Sequence, residues 1–175
     1  MKKICLISML ALAGCQSQQV VEFDSATLAT SGPVEVNVHS FGGNVTVIVD
    51  PTVRGTIVLA KQIEDGAGEL PDAVPRMRCT TEIEMGVTGQ IVHVVATCND
   101  NTLQLISADI IVRAKSIHGV SVTTQNGDVT LLGISGAIDI QTKDGNVRVV
   151  TPLVMNERVS IETRRGDIVY RVRGE

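Results

Sequence analysis

The N-terminal segment contains a cysteine whose thiol could be acylated. Two lysines precede a largely apolar stretch over residues 4–13, and Ala13 and Gly14 lead directly into Cys15. This stretch is too short for a transmembrane helix, which needs roughly 20 apolar residues, but it suits the apolar region of a secretory signal. Small residues before Cys15 would let a peptidase approach the backbone. Cleavage before Cys15 would place its thiol at a new N-terminus.

This pattern resembles the lipobox of bacterial lipoproteins. The resemblance implies a signal peptide over residues 1–14, a diacylglyceryl thioether on Cys15 and a location in the bacterial cell envelope. Two or three acyl chains hold a protein stably in a membrane, at roughly 0.8 kcal/mol per buried methylene. Gln16, rather than an aspartate, follows the cysteine, which resembles Gram-negative lipoproteins sorted to the outer membrane. The alternative is an ordinary secretory signal that ends in a chance cysteine.

Cys79 and Cys98 are the cysteines that remain after Cys15. The segments around them look extended, and residues 86–89 between them look like a turn. We therefore predict a hairpin centred near residues 88 and 89, with Cys79 opposite Cys98. An even pair in an exported protein predicts a disulfide, and closing a loop of about 20 residues stabilises a fold by roughly 3 kcal/mol. Free thiols or metal ligands are the alternatives, but no Cys-x-x-Cys spacing supports a metal.

The other reactive side chains form no recognised catalytic motif. His39, His93 and His118 lie in or beside probable strands, and no two have the spacing of metal ligands on a helix. The sequence also lacks a nucleophile elbow, a phosphate loop and a dinucleotide fingerprint. We therefore predict no catalytic residue, no metal and no cofactor.

The net charge of the chain helps to exclude one class of binding partner. The chain has 15 Lys and Arg against 19 Asp and Glu, and removal of residues 1–14 would leave 13 against 19. This excess of acid argues against nucleic-acid binding, which normally requires a basic face. The acid excess lies in residues 16–100, where a solvated face is the simplest interpretation.

The elements that would position these side chains come from a repeat of about 20 residues. Its pattern is aliphatic, x, aliphatic, x, Thr or Ser, x, x, Gly, Asn or Asp, aliphatic, x, aliphatic. The copies occupy residues 36–47, 120–131, 138–149 and 159–170, and the last three follow at offsets of 18 and 21. Alternating, largely β-branched residues predict strands with one inward face. Each unit is thus predicted to be a strand, a bend and a second strand.

Each bend carries a glycine followed by Asn or Asp. We expect the glycine to have a positive φ and the short polar side chain to bond the local backbone. The pairs are Gly43 and Asn44, Gly127 and Asp128, Gly145 and Asn146, and Gly166 and Asp167. Corner aspartates could also suggest calcium, which takes six to eight oxygen ligands. The glycine-rich repeat of calcium-binding β-rolls is absent, so turn formation is the preferred interpretation.

The fold class follows from the repeat, because stacked units can bury aliphatic faces that one unit cannot. We predict an all-β, β-solenoid-like stack that includes the disulfide-linked hairpin. Asn-Gly and Asp-Gly are also hairpin signals, so an antiparallel sandwich or meander is the alternative. A single domain is expected over residues 34–175, with the clearest repeats at 117–173, after a lipidated flexible tether, or a first edge strand, over residues 15–33. Further strands are expected near residues 54–61, 77–84, 90–98 and 103–114.

The repeated segment resembles the adhesin-like domains of bacterial envelope proteins known as the DUF4097 family. The Gly-Asp-Val, Gly-Asn-Val and Gly-Asp-Ile corners and their flanking aliphatic residues carry the resemblance, best over residues 108–173 and more weakly over 34–49. It implies a β-solenoid-like fold and supplies no catalytic residue.

Four basic residues late in the chain, Lys143, Arg148, Arg164 and Arg165, could form a stripe that binds an anionic glycan or lipid head group. A solvated strand face is the alternative. We expect a non-catalytic, membrane-anchored envelope lipoprotein whose rigid β surface binds a protein or glycan partner. The other hypotheses are an assembly subunit that pairs its end strand with another chain and a glycan-acting β-solenoid enzyme. The oligomeric state stays open.

Overall fold

A computed structural model describes residues 19–64, 81–98, 106–153 and 156–173 of the chain. Within them the backbone forms thirteen strands. The strands are β1 (Gln19–Leu28), β2 (Val34–Ser40), β3 (Val45–Val49), β4 (Thr56–Glu64), β5 (Thr81–Thr88), β6 (Ile91–Cys98), β7 (Ile106–Ala114), β8 (Ile117–Asn126), β9 (Val129–Leu132), β10 (Ala137–Asp144), β11 (Val147–Thr151), β12 (Val159–Arg165) and β13 (Ile168–Val172).

Two sheets face each other across one aliphatic core. The seven-stranded sheet has the order β1-β4-β7-β3-β9-β11-β13, and the six-stranded sheet has the order β12-β10-β8-β2-β6-β5. Each repeat unit contributes one strand to each sheet, and its glycine bend carries the chain from one sheet to the other. The predicted β-solenoid-like fold is confirmed, because the bend at Gly127 joins β8 and β9 across the core instead of closing a hairpin.

The repeats stack in the register that their sequences predict. Val120 pairs with Ile138 in parallel, and Ile138 pairs with Val159, so the offsets of 18 and 21 residues become neighbouring positions. Val36 pairs with the same Val120 from the other side. Aliphatic residues at equivalent positions therefore form continuous columns, one of which passes through Val38, Val122 and Ile140, all at most 1% exposed.

Chain order and stacking order differ. The coil formed by β2 and β3 lies between the β6–β7 coil and the β8–β9 coil. At one end of the stack, β1 pairs antiparallel with β4, β4 with β7, and β5 with β6. Strand β1 also contacts β5 across the two sheets. We call this the closed end, because Val58 of β4 and Val94 of β6 are fully buried, although Val87 of β5 is 37% exposed. The other end consists of β12 and β13, the last strands in each sheet order among the described residues.

The prediction of a flexible tether over residues 15–33 is wrong for residues 19–28. These residues form β1, which pairs along its length with β4, from Gln19 opposite Glu64 to Leu28 opposite Thr56. Residues 19–28 therefore agree with the alternative prediction of a first edge strand. Pairing of an edge strand uses backbone N–H and C=O groups, so it does not require the alternating aliphatic pattern that marks the repeats.

The predicted hairpin is present, but its register differs from the prediction. The loop lies at Gly89 and Gln90, which follow β5, and Gly89 has a φ of 66°. Because the loop is centred one residue later than predicted, the pairing shifts by two residues. Thr81, rather than Cys79, lies opposite Cys98. Cys79 is outside the described residues, so the disulfide stays a prediction.

Candidate functional site

The corner residues form a ladder between coils instead of bonding their own turns. The backbone N–H of Asp128 donates to Oδ1 of Asn44 at 3.0 Å, and that of Asn146 donates to Oδ1 of Asp128 at 2.8 Å. The N–H of Asp167 continues the series to Oδ1 of Asn146 at 3.0 Å. Asp109 begins it by accepting from the N–H of Asn44 at 2.7 Å. Sequence reasoning expected local bonds, and it missed Asp109, which has no preceding glycine.

The glycines of these corners lie directly on one another. Gly43, Gly127, Gly145 and Gly166 have φ values of 92°, 123°, 155° and 142°. A Cβ on Gly127 would lie 2.1 Å from the carbonyl oxygen of Gly43, and a Cβ on Gly145 would lie 2.0 Å from that of Gly127. The glycine thus serves two purposes, since it allows the bend and lets neighbouring backbones approach.

The Thr or Ser of the repeat also has a structural role. The Ser40 hydroxyl donates to the carbonyl of Gly42 at 2.9 Å, and the Thr124 hydroxyl donates to that of Asn126 at 3.3 Å. These two hydroxyls are therefore engaged within their own corners, whereas the buried hydroxyl of the equivalent Thr142 has no hydrogen-bond partner among the described residues. Across the described residues, no three His, Cys, Asp or Glu side chains come close enough together to hold a metal ion.

The structure does not bring the four basic residues of the predicted stripe together. Lys143 and Arg164 lie side by side on the outer face of the six-stranded sheet, because β10 and β12 pair in register. Arg148 lies in β11 on the outer face of the other sheet, since the Gly145 bend separates it from Lys143. Arg165 reaches back across the corner, and its Nη2 donates to Oδ2 of Asp144 at 3.1 Å.

A shallow trough of about 520 Å³ lies on the outer face of the six-stranded sheet. Its lining includes Glu35, His118, Gly119, Asp139 and Arg158. A Cβ at Gly119 would come within 3.3 Å of Cγ of Glu35, so the glycine leaves room for the glutamate chain. The other two histidines, His39 and His93, lie on the same outer face, in β2 and β6. The trough is open, and both polar and apolar residues line it.

The end of the stack at β12 and β13 exposes side chains that are buried in every earlier coil. Val159 is 37% exposed, Ile168 47% and Tyr170 38%. Their neighbours in the preceding coil, Ile138 and Val147, are each 1% exposed. We call β12, β13 and these side chains the open end. This exposure cannot be read from the sequence repeat, because the last copy has the same alternation of aliphatic residues as the earlier copies.

The open end also exposes strand edges and positive charge. Within the described part of the chain, β12 and β13 each have a partner on one side alone, so their outer N–H and C=O groups are available for pairing. The described basic residues of this coil are Arg158, Arg164, Arg165, Arg171 and Arg173, and the described acidic ones are Glu157, Glu162 and Asp167. The described part of this coil is thus net basic in a chain whose formal charge is −4.

This stack, with its glycine corners and parallel aliphatic columns, defines a β-solenoid-like protein. The family described as Toastrack DUF4097 matches residues 35–175, so the chain belongs to this family. No curated protein matches the chain significantly. Within the part of the chain that the structure describes, no helix has the length and hydrophobicity needed to cross a bilayer.

Several solved structures are similar to this chain. A candidate cell adhesion protein from Clostridium sporogenes ATCC 15579 has a TM-score of 0.51 at 8% identity, covering 87% of this chain and 99% of that chain. A candidate adhesin from Bacteroides fragilis NCTC 9343 has a TM-score of 0.35 at 7% identity, covering 86% and 97%. A candidate lipid-binding protein from Parabacteroides distasonis ATCC 8503 has a TM-score of 0.34 at 8% identity, covering 87% and 73%. The similarity to the first of these structures concerns the fold alone.

Proposed function

We propose that this protein is a lipid-anchored, non-catalytic scaffold of the bacterial envelope that binds an extended segment of a partner protein at its open end. The observation that carries the proposal is the exposure of Val159, Ile168 and Tyr170, whose counterparts in the preceding coils are buried. Repeat proteins normally cover a terminal unit with a polar cap. At the closed end of this stack β1, β4 and β5 supply such a cover, and the open end has none among the described residues.

Strand addition is the binding mode that suits this end. An incoming strand would pair with the free edge of β12 or β13 and continue the ladder of the sheet. Its alternate aliphatic side chains would extend the columns that end at Ile161 and Ile168. Full burial of an aliphatic side chain contributes about 1.5–3 kcal/mol, so covering a few of these residues would support stable binding.

Charge favours an acidic partner over a second copy of this chain. The described residues of this coil include five arginines and three acids, and this excess of positive charge would make two open ends repel each other. An extended segment with alternating aliphatic and acidic residues would pair with both the edge and its charge. Self-association remains an outcome that the experiment below distinguishes.

The anchor is part of the same proposal. The signal that ends at Cys15 supports acylation of its thiol, and Gln16 supports sorting to the outer membrane. Binding rather than catalysis is supported by the engagement of the corner carboxylates, since Asp128 accepts from Asn146 and Asp144 pairs with Arg165. A second candidate ligand is a glycan in the trough, because that surface is concave and its lining includes the carboxylates of Glu35 and Asp139, which can accept hydrogen bonds from sugar hydroxyls.

Site-specific photocrosslinking in intact cells would test the proposal. A photoreactive residue at Tyr170, on the open end, should give one adduct of discrete mass, and the same residue at Thr123, an exposed site on the six-stranded sheet, should not. Ile168→Asp should remove the adduct, because a buried carboxylate would oppose docking. Replacing Cys15 with Ser should release the protein from the membrane fraction.

The identity of the adduct decides the outcome. Peptide mapping of the crosslink to an acidic, alternating segment of another envelope protein would support the proposal. Mapping to a second copy of this chain would replace it with self-assembly. Equal labelling at Tyr170 and Thr123 would contradict docking at the open end, and retention of the Cys15→Ser protein in the membrane fraction would contradict the lipid anchor.

A further inference from the structure

The outer face of the seven-stranded sheet carries a row of partly exposed aliphatic residues that Arg113 interrupts. In register across six strands lie Ile57, Arg113, Ile48, Leu132, Val150 and Arg171. The four aliphatic members are partly exposed, and they end at an exposed arginine. At a strand spacing of about 4.8 Å, this row extends for about 24 Å. We call this row and its neighbour, which contains Leu59, Ile111, Thr46, Thr130, Arg148 and Val169, the flat face.

The flat face is basic as well as apolar. Its described cations are Lys61, Arg113, Arg148 and Arg171. Two acids lie at its margin and both accept hydrogen bonds within the protein. Asp109 accepts from the N–H of Asn44. Asp50 accepts from the hydroxyl and the N–H of Thr52, which lower its pKa, and Arg113 lowers it further.

The opposite face of the molecule has a different composition. At the equivalent outward positions of β2, β8 and β10 the six-stranded sheet presents exposed or partly exposed polar residues, namely Asn37, His39, Ser121, Thr123, Asp139 and Gln141. Its larger outward aliphatic residues among those described, Ile91 and Val95, lie in β6. Both sheets have the same inward aliphatic columns, so the core does not account for this difference. Contiguous apolar surface on one side of a stable domain marks an interaction site.

The predicted anchor is close in sequence to the first strand of the sheet that carries the flat face. Three residues separate Cys15 from Gln19, where β1 begins. A chain of this length spans at most about 14 Å. Strand β1 is the edge of the seven-stranded sheet, so acyl chains on Cys15 would hold that edge at the bilayer surface.

We propose that the flat face lies on the membrane surface and contacts the phosphates of anionic lipids. This inference rests on the lipid anchor of the proposed function. Arg113, Arg148 and Arg171 would bind phosphate oxygens, to which guanidinium groups donate in pairs. Ile48, Leu132 and Val150 would enter the boundary between head groups and acyl chains, as the apolar sides of interfacial elements do. When the flat face lies on the membrane, the free edges of β12 and β13 point parallel to the membrane surface and stay accessible to a partner.

Fluorescence quenching in vesicles would test this orientation. Mature protein purified from membranes, with its native N-terminus, would be reconstituted in vesicles of phosphatidylethanolamine and phosphatidylglycerol that carry a head-group quencher. A fluorophore would be attached at Thr130→Cys on the flat face or at Thr123→Cys on the opposite face, with the parent chain as the control for native thiols. Quenching should be several-fold stronger at residue 130 than at residue 123.

Flotation separates failure of the orientation from failure of the anchor. Protein that floats with the vesicles but shows equal quenching at residues 130 and 123 would overturn the orientation and leave the anchor intact. Protein that does not float would overturn the anchor and the orientation with it. Shielding of residue 130 from water without quenching by lipid would show that a protein covers the flat face, which also overturns the inference.

A charge-matched pair of variants tests the role of phosphate. Replacing Arg113 and Arg148 with Gln should reduce quenching at residue 130 by more than half in anionic vesicles. Replacing Lys143 and Arg164 with Gln removes the same charge from the opposite face and should leave the quenching unchanged. Equal losses in the two variants would indicate nonspecific attraction and would overturn phosphate binding by the flat face.

Discussion

Replacing Gly127 with alanine should lower the free energy of unfolding by about 3–5 kcal/mol. Gly127 has a φ of 123°, and an added Cβ would lie 2.1 Å from the carbonyl oxygen and 2.5 Å from the carbonyl carbon of Gly43. Both of these atoms belong to the backbone of the neighbouring coil, so no side-chain rotation can relieve the clash. The two coils would have to separate at the corner. Urea denaturation monitored by circular dichroism measures the change.

Gly86→Ala is the matched control. Gly86 lies in β5, its φ is not positive, and a Cβ there would meet no atom within 4 Å. Its replacement should change the free energy of unfolding by less than about 0.5 kcal/mol. If Gly127→Ala were as mild as the control, the close contact between corner glycines would not be part of the folded protein.

A second large effect is expected from Ile140→Ala. Ile140 is fully buried in the column that contains Val122, and truncation of a buried isoleucine costs about 2–5 kcal/mol through lost burial and a residual cavity. The same change at Ile168, which is 47% exposed on the open end, should cost about 1 kcal/mol or less in the isolated protein. Denaturant midpoints at constant slope give both values.

Comparing the losses of unfolding free energy in these two variants shows whether the open end is uncovered in the isolated protein. Equal costs at Ile140 and Ile168 would mean that something already covers Ile168 in the isolated protein. A sedimentation experiment on the same sample would then show whether the cover is a second copy. A small cost at Ile168 and a large cost at Ile140 would agree with a core that ends at β12 and β13.

The stacking register was predictable from the sequence because it depends on local geometry. Alternation of aliphatic residues assigns the inward face of each strand, and a glycine at a constant distance assigns the bend. Once the bends align, Val120, Ile138 and Val159 must become neighbours, as they are. The same reasoning located β4, β5, β6 and β7 to within a few residues.

Contacts between distant segments were not predictable in this way. The coil of β2 and β3 lies between two coils that come later in the chain, and no periodicity specifies such an insertion. The ladder of Asn44, Asp128 and Asn146 was missed because turn rules consider bonds within one turn, whereas these side chains accept from the next coil. Strand β1 lacks the aliphatic pattern, since an edge strand can be held by its backbone.

The basic residues show how the three-dimensional arrangement changes an interpretation. Lys143 and Arg148 are five positions apart, yet the Gly145 bend places them on opposite faces of the molecule. Arg148 instead joins Arg113, which is distant in sequence, on the flat face. Burial also depends on neighbouring coils. The last repeat has the usual aliphatic pattern, but its inward side chains are exposed because no further coil lies beyond it among the described residues.

The central claim is that the stack is open at one end in the isolated protein and covered in the envelope. Hydrogen exchange measured by mass spectrometry, on protein in native membranes and on purified protein, tests it most directly. Amides of β12 and β13 should exchange at least tenfold more slowly in native membranes, while those of the buried strand β8 should not change. Identical exchange of β12 and β13 in the two samples would contradict docking at the open end.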